Sequence, residues 1–537
     1  MSGRTGSGSA SPLLAQLEAV LFDMDGVITD TAQAHAAAWQ RLFDEFLKTR
    51  AERYGEEFRP FDPRHDYRQY VDGKPRMDGV SSFLDARGIP LPYGDEGDDP
   101  DRETVCGLGN RKDRYFNTWL EENQVYAYPG TLELIETLRQ AGIKTAVFSA
   151  SRNAEAVLRN AGVLDLFDAK VDGSDAADLD IPGKPDPAML LAAARRLGVV
   201  PGRAAVVEDA LAGVEAGANG AFGLVIGVAR GDYGDELAAA GADVVVHDLS
   251  EMRFAPGQGL AVKTLVNLPS VWDREDAIRQ RLSERRPMVF LDYDGTLTPI
   301  VADHTKALLA DDMRAAVAEL GRRCTVVIVS GRDLGKLQQL VQLGHVWYAG
   351  SHGFEIVGPE GSIEQLERGT DFLSELDEVE QVLREALADV DGHAVERKKF
   401  SIAVHYRQVA EDAVGTLRSI LDKTLAEHPR LRLGHGKKVF ELRPDIDWNK
   451  GEAVRWILQQ VSPDQPAIMP LYVGDDITDE DAFHVLAGRG LCIAVRHDES
   501  RQTAADYAVA DTPDVKRLLE MLAALAVSVK PKHGARS

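Results

Sequence analysis

Short apolar runs, each followed by an amphipathic stretch, recur along the chain in two successive sets. The first set falls at residues 19–22, 145–148, 204–207, 223–228 and 243–246. The second falls at 288–291, 325–329, 471–473 and 491–495. Runs of this length suit strands buried on both faces, while segments such as 131–140 and 187–197 carry helical periodicity. Strand–helix alternation predicts a parallel sheet with helices on both sides. The pattern thus predicts an α/β protein with two tandem parallel-sheet cores.

Each set is interrupted once. Residues 32–127 carry helical signals, predicting a helical lid inserted in a first domain over 16–250. Within that lid, P-L-P-Y-G-D-E-G-D-D-P-D at 90–101 reads as an exposed acidic loop. Residues 354–445 mix strand signals (F-S-I-A-V-H-Y-R and K-K-V-F-E-L-R-P) with helical ones. They predict a mixed α/β lid in a second domain over 288–527. Residues 251–287 read as a connector with one helix, and 1–15 and 528–537 as flexible tails.

Composition narrows the class. The chain has 537 residues, is 44% hydrophobic and carries a formal net charge of −25. That charge argues against nucleic acid or anionic membrane partners. No apolar run approaches the length of a membrane span. The three cysteines, Cys106, Cys324 and Cys492, make neither a disulfide framework nor a metal spacing. They read as small buried apolar groups in a reducing, cytoplasmic setting. Nothing in the pattern specifies an oligomeric state.

The chemistry sits at the ends of the apolar runs. Residues 20–30 read V-L-F-D-M-D-G-V-I-T-D, and 289–299 read V-F-L-D-Y-D-G-T-L-T-P. Residues two apart on an extended chain share a face, so Asp23 converges with Asp25 and Asp292 with Asp294. Repulsion between the paired carboxylates calls for a hard cation such as Mg²⁺, one per site. A calcium loop would put Gly sixth and Glu twelfth, but counting from Asp292 Gly is fourth and Asp303 twelfth. Ligands in open α/β sheets bind beyond the carboxyl ends of the strands. Ser149, Lys184, Glu208 and Asp209 should gather there in the first half. Ser330, Arg332, Lys450, Asp475 and Asp476 should gather there in the second, with Asp479 close behind. These parts compose a phosphoryl-transfer site. One Asp attacks phosphorus, the second serves as acid and base, and the distal acids hold Mg²⁺. Ser, Lys and a helix N-terminus bind the phosphoryl oxygens.

The four motifs together resemble the haloacid dehalogenase superfamily, which implies Rossmann-like cores. The chain carries the set twice. Residues 288–525 resemble the trehalose-6-phosphate phosphatases, through L-D-Y-D-G-T-L-T-P, S-G-R, G-S-H-G, the two lid strands, W-N-K-G and G-D-D-I-T-D-E-D. That resemblance implies sugar-reading roles for Glu396, Lys398, Arg407, Lys437 and Glu441. It also implies Asp292 as nucleophile, Asp294 as acid and base, and Mg²⁺ on Asp475 and the Asp294 carbonyl. His352 and His405 read more simply as buried or capping histidines. The first half resembles the β-phosphoglucomutase-like branch, with His35 and Lys112 at matching lid positions. An arginine that the mutase uses for a distal phosphate is expected near G-V-S-S-F-L, where the sequence has Ser81 and Ser82. Arg76 lies nearby. The expectation is therefore a trehalose-6-phosphate phosphatase in the second half and a second sugar-phosphate phosphatase in the first. A mutase, or a non-catalytic phosphosugar-binding or assembly module, are the alternatives for the first half.

Overall fold

The computed structural model describes residues 14 and 16–526, apart from 64, 232, 284, 302–306, 360–365, 368, 437, 447, 462–467 and 497–499. The tails expected at 1–15 and 528–537 thus lie outside the described residues, Leu14 excepted. The chain divides into two compact units, one ending at Lys263 and the other beginning at Thr264.

The first unit is built on β1 (Ala19–Asp23), β2 (Lys144–Phe148), β3 (Ala169–Val171), β4 (Ala204–Glu208), β5 (Leu224–Val228) and β6 (Val244–Val246). They form one parallel sheet in the order β3-β2-β1-β4-β5-β6. All five residues of β1 are buried, as a central strand covered on both faces requires. Successive strands run leftward from β1 and then return to its other side with β4. The loops after β1 and β4 diverge there and open a crevice at their carboxyl ends. β3 is only three residues long, which is why no apolar run announced it.

The lid begins with a helix, Ala32–Tyr54. Its buried residues, Ala34, Ala38, Trp39, Leu42, Phe43, Phe46 and Leu47, recur at helical spacing on one face. From Trp39 onward they pack on helices Arg76–Ala86 and Val105–Glu122 in a separate lid core with Phe61 and Phe83, while Ala34 and Ala38 join the core beneath the sheet's β1 loop. Gly55 ends the first helix at φ +68°, where its N–H reaches the Ala51 carbonyl. The acidic loop is mostly exposed, with Leu91 and Pro100 half-buried and Asp98 buried. Asp98 is buried because Thr104 Oγ1 donates to it at 2.6 Å and organises the turn. The stretch expected as a connector holds more than one helix. A hairpin, β7 (Met252–Ala255) and β8 (Gly259–Val262), precedes helix Glu275–Ser283.

The second unit repeats the plan. Its strands are β9 (Arg286–Asp292), β10 (Thr325–Val329), β11 (Trp347–Gly350), β12 (Glu355–Val357), β13 (Leu366–Glu367), β14 (Ala394–Lys398), β15 (Ser401–His405), β16 (Leu431–Gly436), β17 (Val439–Pro444), β18 (Ile468–Gly474), β19 (Leu491–Val495) and β20 (Tyr507–Val509). The core sheet runs β13-β12-β11-β10-β9-β18-β19-β20, so the order reverses at β9 as it does at β1. The lid is an antiparallel sheet, β14-β15-β17-β16. Ile402, Val404, Phe440 and Leu442 face one side and pack with helices Leu373–Ala386 and Glu411–Glu427. Strand alternation then sends Glu396, Lys398, Ala403, His405 and Glu441 to the opposite side.

Candidate active sites

The two Asp-x-Asp-Gly loops have the same fold, 269 positions apart. Gly26 N–H donates to the Thr29 carbonyl at 2.9 Å and Gly295 N–H to that of Thr298 at 2.8 Å. Each threonine hydroxyl reaches back 3.2 Å, Thr29 to Met24 O and Thr298 to Tyr293 O. The glycines are required. Gly26 has φ +77° and Gly295 φ +84°, in the left-handed region. A β-carbon on Gly26 would sit 1.7 Å from Asp209 Oδ2, and one on Gly295 would sit 2.2 Å from Asp475 Oδ2. The loop and the distal acid therefore close on each other in both sites.

In the first site, Lys184 Nζ donates to Asp23 and to Glu208, all three buried. Oxygens of Asp23, Glu208 and Asp209 lie within 4.8 Å of one another. Burial, then the Glu208 charge, drives the Asp23 pKa well above its ordinary value despite Lys184. Burial, Asp72 and Glu208 do the same to Asp209. Crowded acids of this kind are a donor set suited to a hard divalent cation. Asp25 is set apart from them. Burial alone would raise its pKa, but the His35 imidazole and the Thr31 hydroxyl hold it below the usual value. His35 Nε2 lies 3.3 Å from Asp25 Oδ1, and its Nδ1 lies 2.6 Å from Lys112 Nζ. Burial pushes the Lys112 pKa down to about 8. Ser149 is buried beside them, and its Oγ accepts from Ser151 N–H at 3.1 Å.

A cavity of about 530 Å³ opens above this cluster. Its wall includes Tyr67, Asp72, Arg76, Arg152 and Asn153, which the sequence reading either passed over or set aside. Arg76 changes the expectation of a missing guanidinium. It stands at the start of helix Arg76–Ala86, with NH1 2.7 Å from Asp113 Oδ1. Asn153 Nδ2 donates to the same oxygen at 3.0 Å. Ser82, where an arginine was looked for, instead accepts from Lys74 Nζ at 3.1 Å.

In the second site, Lys450 Nζ lies 2.8 Å from Asp292 Oδ1 and 2.7 Å from Asp479 Oδ1, again in full burial. The carboxylate triad is Asp292, Asp475 and Asp479, with oxygens within 4.8 Å. Asp476, expected in that set, has its Oδ1 accepting from Ile477 N–H at 2.8 Å and caps the turn. The two sites use mirror solutions at this point. In the first, Glu208 on the strand leans over Gly213, where a β-carbon would fall 1.8 Å from Glu208 Oε1. In the second, Asp479 on the turn leans over Gly474, where a β-carbon would fall 2.4 Å from Asp479 Cγ. Tyr472 Oη also donates to Asp479 Oδ1 at 2.7 Å. Burial raises the Asp292 pKa well above its usual value, and Asp479 and Asp475 add to it, against the pull of Lys450.

Asp294 is held differently from Asp25. Arg332 grips it bidentately, Nε to Oδ2 at 2.7 Å and NH2 to Oδ1 at 2.6 Å. Ser330 is buried, and its Oγ accepts from Arg332 N–H at 3.1 Å, the same turn that Ser149 makes. The lid closes a cavity of about 680 Å³ over these groups. Glu396, Lys398, Arg407 and Glu441 line it, as do His352 and His405. Lys437 lies outside the described residues. Glu396, Ala403, Glu441 and Gly434 form one cross-strand row. Lys398 Nζ reaches Glu441 Oε1 at 2.9 Å, and His405 Nε2 lies 3.0 Å from Glu396 Oε2. Both histidines, read from sequence as packing residues, thus face lid carboxylates.

One test of the cation site follows from Gly295. In Gly295→Ala the new methyl meets Asp475 and a positive φ. The Mg²⁺ concentration for half-maximal thermal stabilisation should rise at least about tenfold. An unchanged midpoint would separate the loop from the cation site.

These geometries meet independent comparisons. Residues 17–220 match the family model described as haloacid dehalogenase-like hydrolase. Residues 290–513 match the one described as trehalose-phosphatase. The trehalose-phosphate phosphatase of Mycobacterium leprae (strain TN) is 37% identical over 408 residues, covering 73% of this chain and 92% of that protein. That of Mycobacterium tuberculosis (strain H37Rv) is 37% identical over 396 residues, covering 73% and 91%. The chain belongs to the trehalose-phosphatase family. A longer M. tuberculosis protein, described as an uncharacterized glycosyl hydrolase, is 39% identical over 516 residues. The match covers 94% of this chain, which spans about 38% of that relative's length. No helix among the described residues is long and apolar enough to cross a membrane.

Proposed function

We propose that the second unit hydrolyses trehalose 6-phosphate to trehalose and phosphate, with Mg²⁺ as cofactor. The observation that carries this reading is the meeting of Asp292, Asp475, Asp479 and Lys450 beneath a lid cavity walled by Glu396, Lys398 and Glu441. The cavity falls within the range of about 300–1,000 Å³ usual for small-molecule sites. In the row Glu396–Ala403–Glu441–Gly434, the small Ala403 leaves room between two acceptors, a shape suited to sugar hydroxyls. Asp292 attacks phosphorus, and the sugar oxygen leaves with a proton from Asp294. Asp294 then takes a proton from water, which attacks the aspartyl-phosphate and frees both Asp292 and phosphate. Lys450 and Ser330 hold phosphoryl oxygens, and Arg332 turns from Asp294 as the substrate enters. Asp292 and Asp475 would hold Mg²⁺, which supplies charge neutralisation between carboxylates and phosphate. Phosphate release from trehalose 6-phosphate tests the reading. With EDTA, turnover should fall below about 1% of the Mg²⁺ value, and excess Mg²⁺ should restore it. Undiminished turnover in EDTA would reject the cofactor.

For the first unit we propose phosphoryl chemistry on a smaller sugar phosphate, with Asp23 as nucleophile and Asp25 as acid and base. Asp23, Glu208 and Asp209 form the same kind of acidic cluster, which would hold a second Mg²⁺. Arg76 on the cavity wall favours a second reading, transfer between two hydroxyls, because a guanidinium can grip a distal phosphate. Asp23→Asn, assayed on a panel of hexose phosphates, separates chemistry from mere binding. No loss on any of them would favour the binding module.

A further inference from the structure

The turn Ser351–His352–Gly353 follows β11 and carries three consecutive residues at positive φ, +51°, +56° and +91°. Two of the three are not glycine, and such runs are unfavourable for residues with a β-carbon. The turn is nevertheless pinned from both sides of the site. Ser351 N–H donates to Arg332 O at 2.7 Å, and His352 N–H to Ser330 O at 2.9 Å. Trp448 Nε1, two residues before Lys450, donates to Gly353 O at 2.8 Å.

None of these bonds needs an imidazole. The ring lies over Gly331, where a β-carbon would fall 2.7 Å from its Nε2. Its Nδ1 is buried and has no hydrogen-bond partner among the described residues. Its Nε2 lies 3.2 Å from Glu441 Oε2, across from core to lid. The other Glu441 oxygen, Oε1, accepts from Lys398 Nζ at 2.9 Å and from Ser401 Oγ at 2.7 Å. A histidine kept for local packing would bond its own turn, whereas this one bonds a lid carboxylate.

We propose that His352 is a positioning residue. From the core it fixes the Glu441 carboxylate over the phosphoryl site, so that sugar reading by the lid is registered against Ser330, Gly331 and Arg332. This rests on the reading of Glu441 as a sugar contact. It predicts discrimination between a sugar ester and an ester too small to reach the lid.

The test uses the full chain carrying Asp23→Asn, so that the first unit supplies no product, with kcat and KM measured on trehalose 6-phosphate and on p-nitrophenyl phosphate. His352→Asn suits it, because asparagine tolerates the left-handed backbone but is too short to hold Glu441. KM for the sugar ester should rise about tenfold, with kcat changed less than about threefold. The loss on the aryl ester should be at least about fivefold smaller. Glu441→Gln should show the same selectivity, and the double variant should be no worse than the worse single. Additive losses in the double, or equal losses on both esters, would overturn the proposal. Should His352→Asn fail to fold, His352→Gly, which suits the same positive φ and also removes the imidazole, decides by the same selectivity. The substrate reading fails separately, if wild type releases no phosphate from trehalose 6-phosphate. The same comparison is then made on the sugar phosphate it hydrolyses best, and wild-type indifference between sugar and aryl esters overturns the proposal.

Discussion

Replacing Asp292 by Asn lowers phosphate release from trehalose 6-phosphate by about 10⁴-fold or more. The amide is nearly isosteric with the carboxylate but cannot form the aspartyl-phosphate. The measurement is made with Asp23→Asn in both proteins, so that the first unit cannot supply the product. Turnover within tenfold of the Asp23→Asn parent would reject Asp292 as the nucleophile. The same variant makes a second, independent forecast. Burial, reinforced by Asp479 and Asp475, holds the Asp292 pKa well above its unfolded value. Protonation therefore favours the native state. This contribution is complete below the unfolded carboxyl pKa and is lost as pH rises through the folded one. In metal-free buffer near neutral pH, Asp292→Asn should melt no lower than wild type, and its melting temperature should depend less on pH. A clear drop would mean that the carboxylate stabilises the fold, contrary to its crowded surroundings.

The most legible carboxylates share one property: they sit at the ends of strands whose apolar runs are buried. Asp23 closes β1, Glu208 closes β4 and Asp292 closes β9, so an apolar run points straight at each. The parts that are legible only in outline, or not at all, depend on chain reversals. Asp479 reaches the triad from a short turn after β18, while its neighbour Asp476, nearer the strand, is spent as a cap. Arg76 enters its cavity from a lid helix, and nothing in the local pattern relates that helix to β1. The lid strands were read where they alternate cleanly, as in β15 and β17. β16 was missed because L-R-L-G-H-G has too little apolar content to register as a strand. The turn that carries His352 is left-handed, and periodicity does not reveal such a turn.

Lys450→Met should destabilise the second unit strongly. The ammonium is buried and touches Asp292 and Asp479, 2.8 and 2.7 Å away. Burial alone would lower its pKa, but the two carboxylates outweigh it and hold it well above the ordinary value. Methionine fills the same volume and leaves Asp292, Asp475 and Asp479 within 4.8 Å of one another with no cation. Breaking a buried pair from one side costs about 3–5 kcal/mol, far more than the pair itself is worth. Urea denaturation in EDTA should report a loss of that size. Mg²⁺ should recover part of it, because a ligand bound only to the native state stabilises that state by mass action. Turnover should fall about 10²–10³-fold even at saturating Mg²⁺, since the lysine also faces the phosphoryl oxygens. Adding Asp479→Asn separates the two roles. The double variant should regain part of the stability, because one of the three unmatched carboxylates is gone, and none of the activity. Wild-type stability of Lys450→Met in EDTA would show that the carboxylates are not ionised together in the metal-free protein. Recovered turnover in the double variant would remove Lys450 from the phosphoryl site altogether.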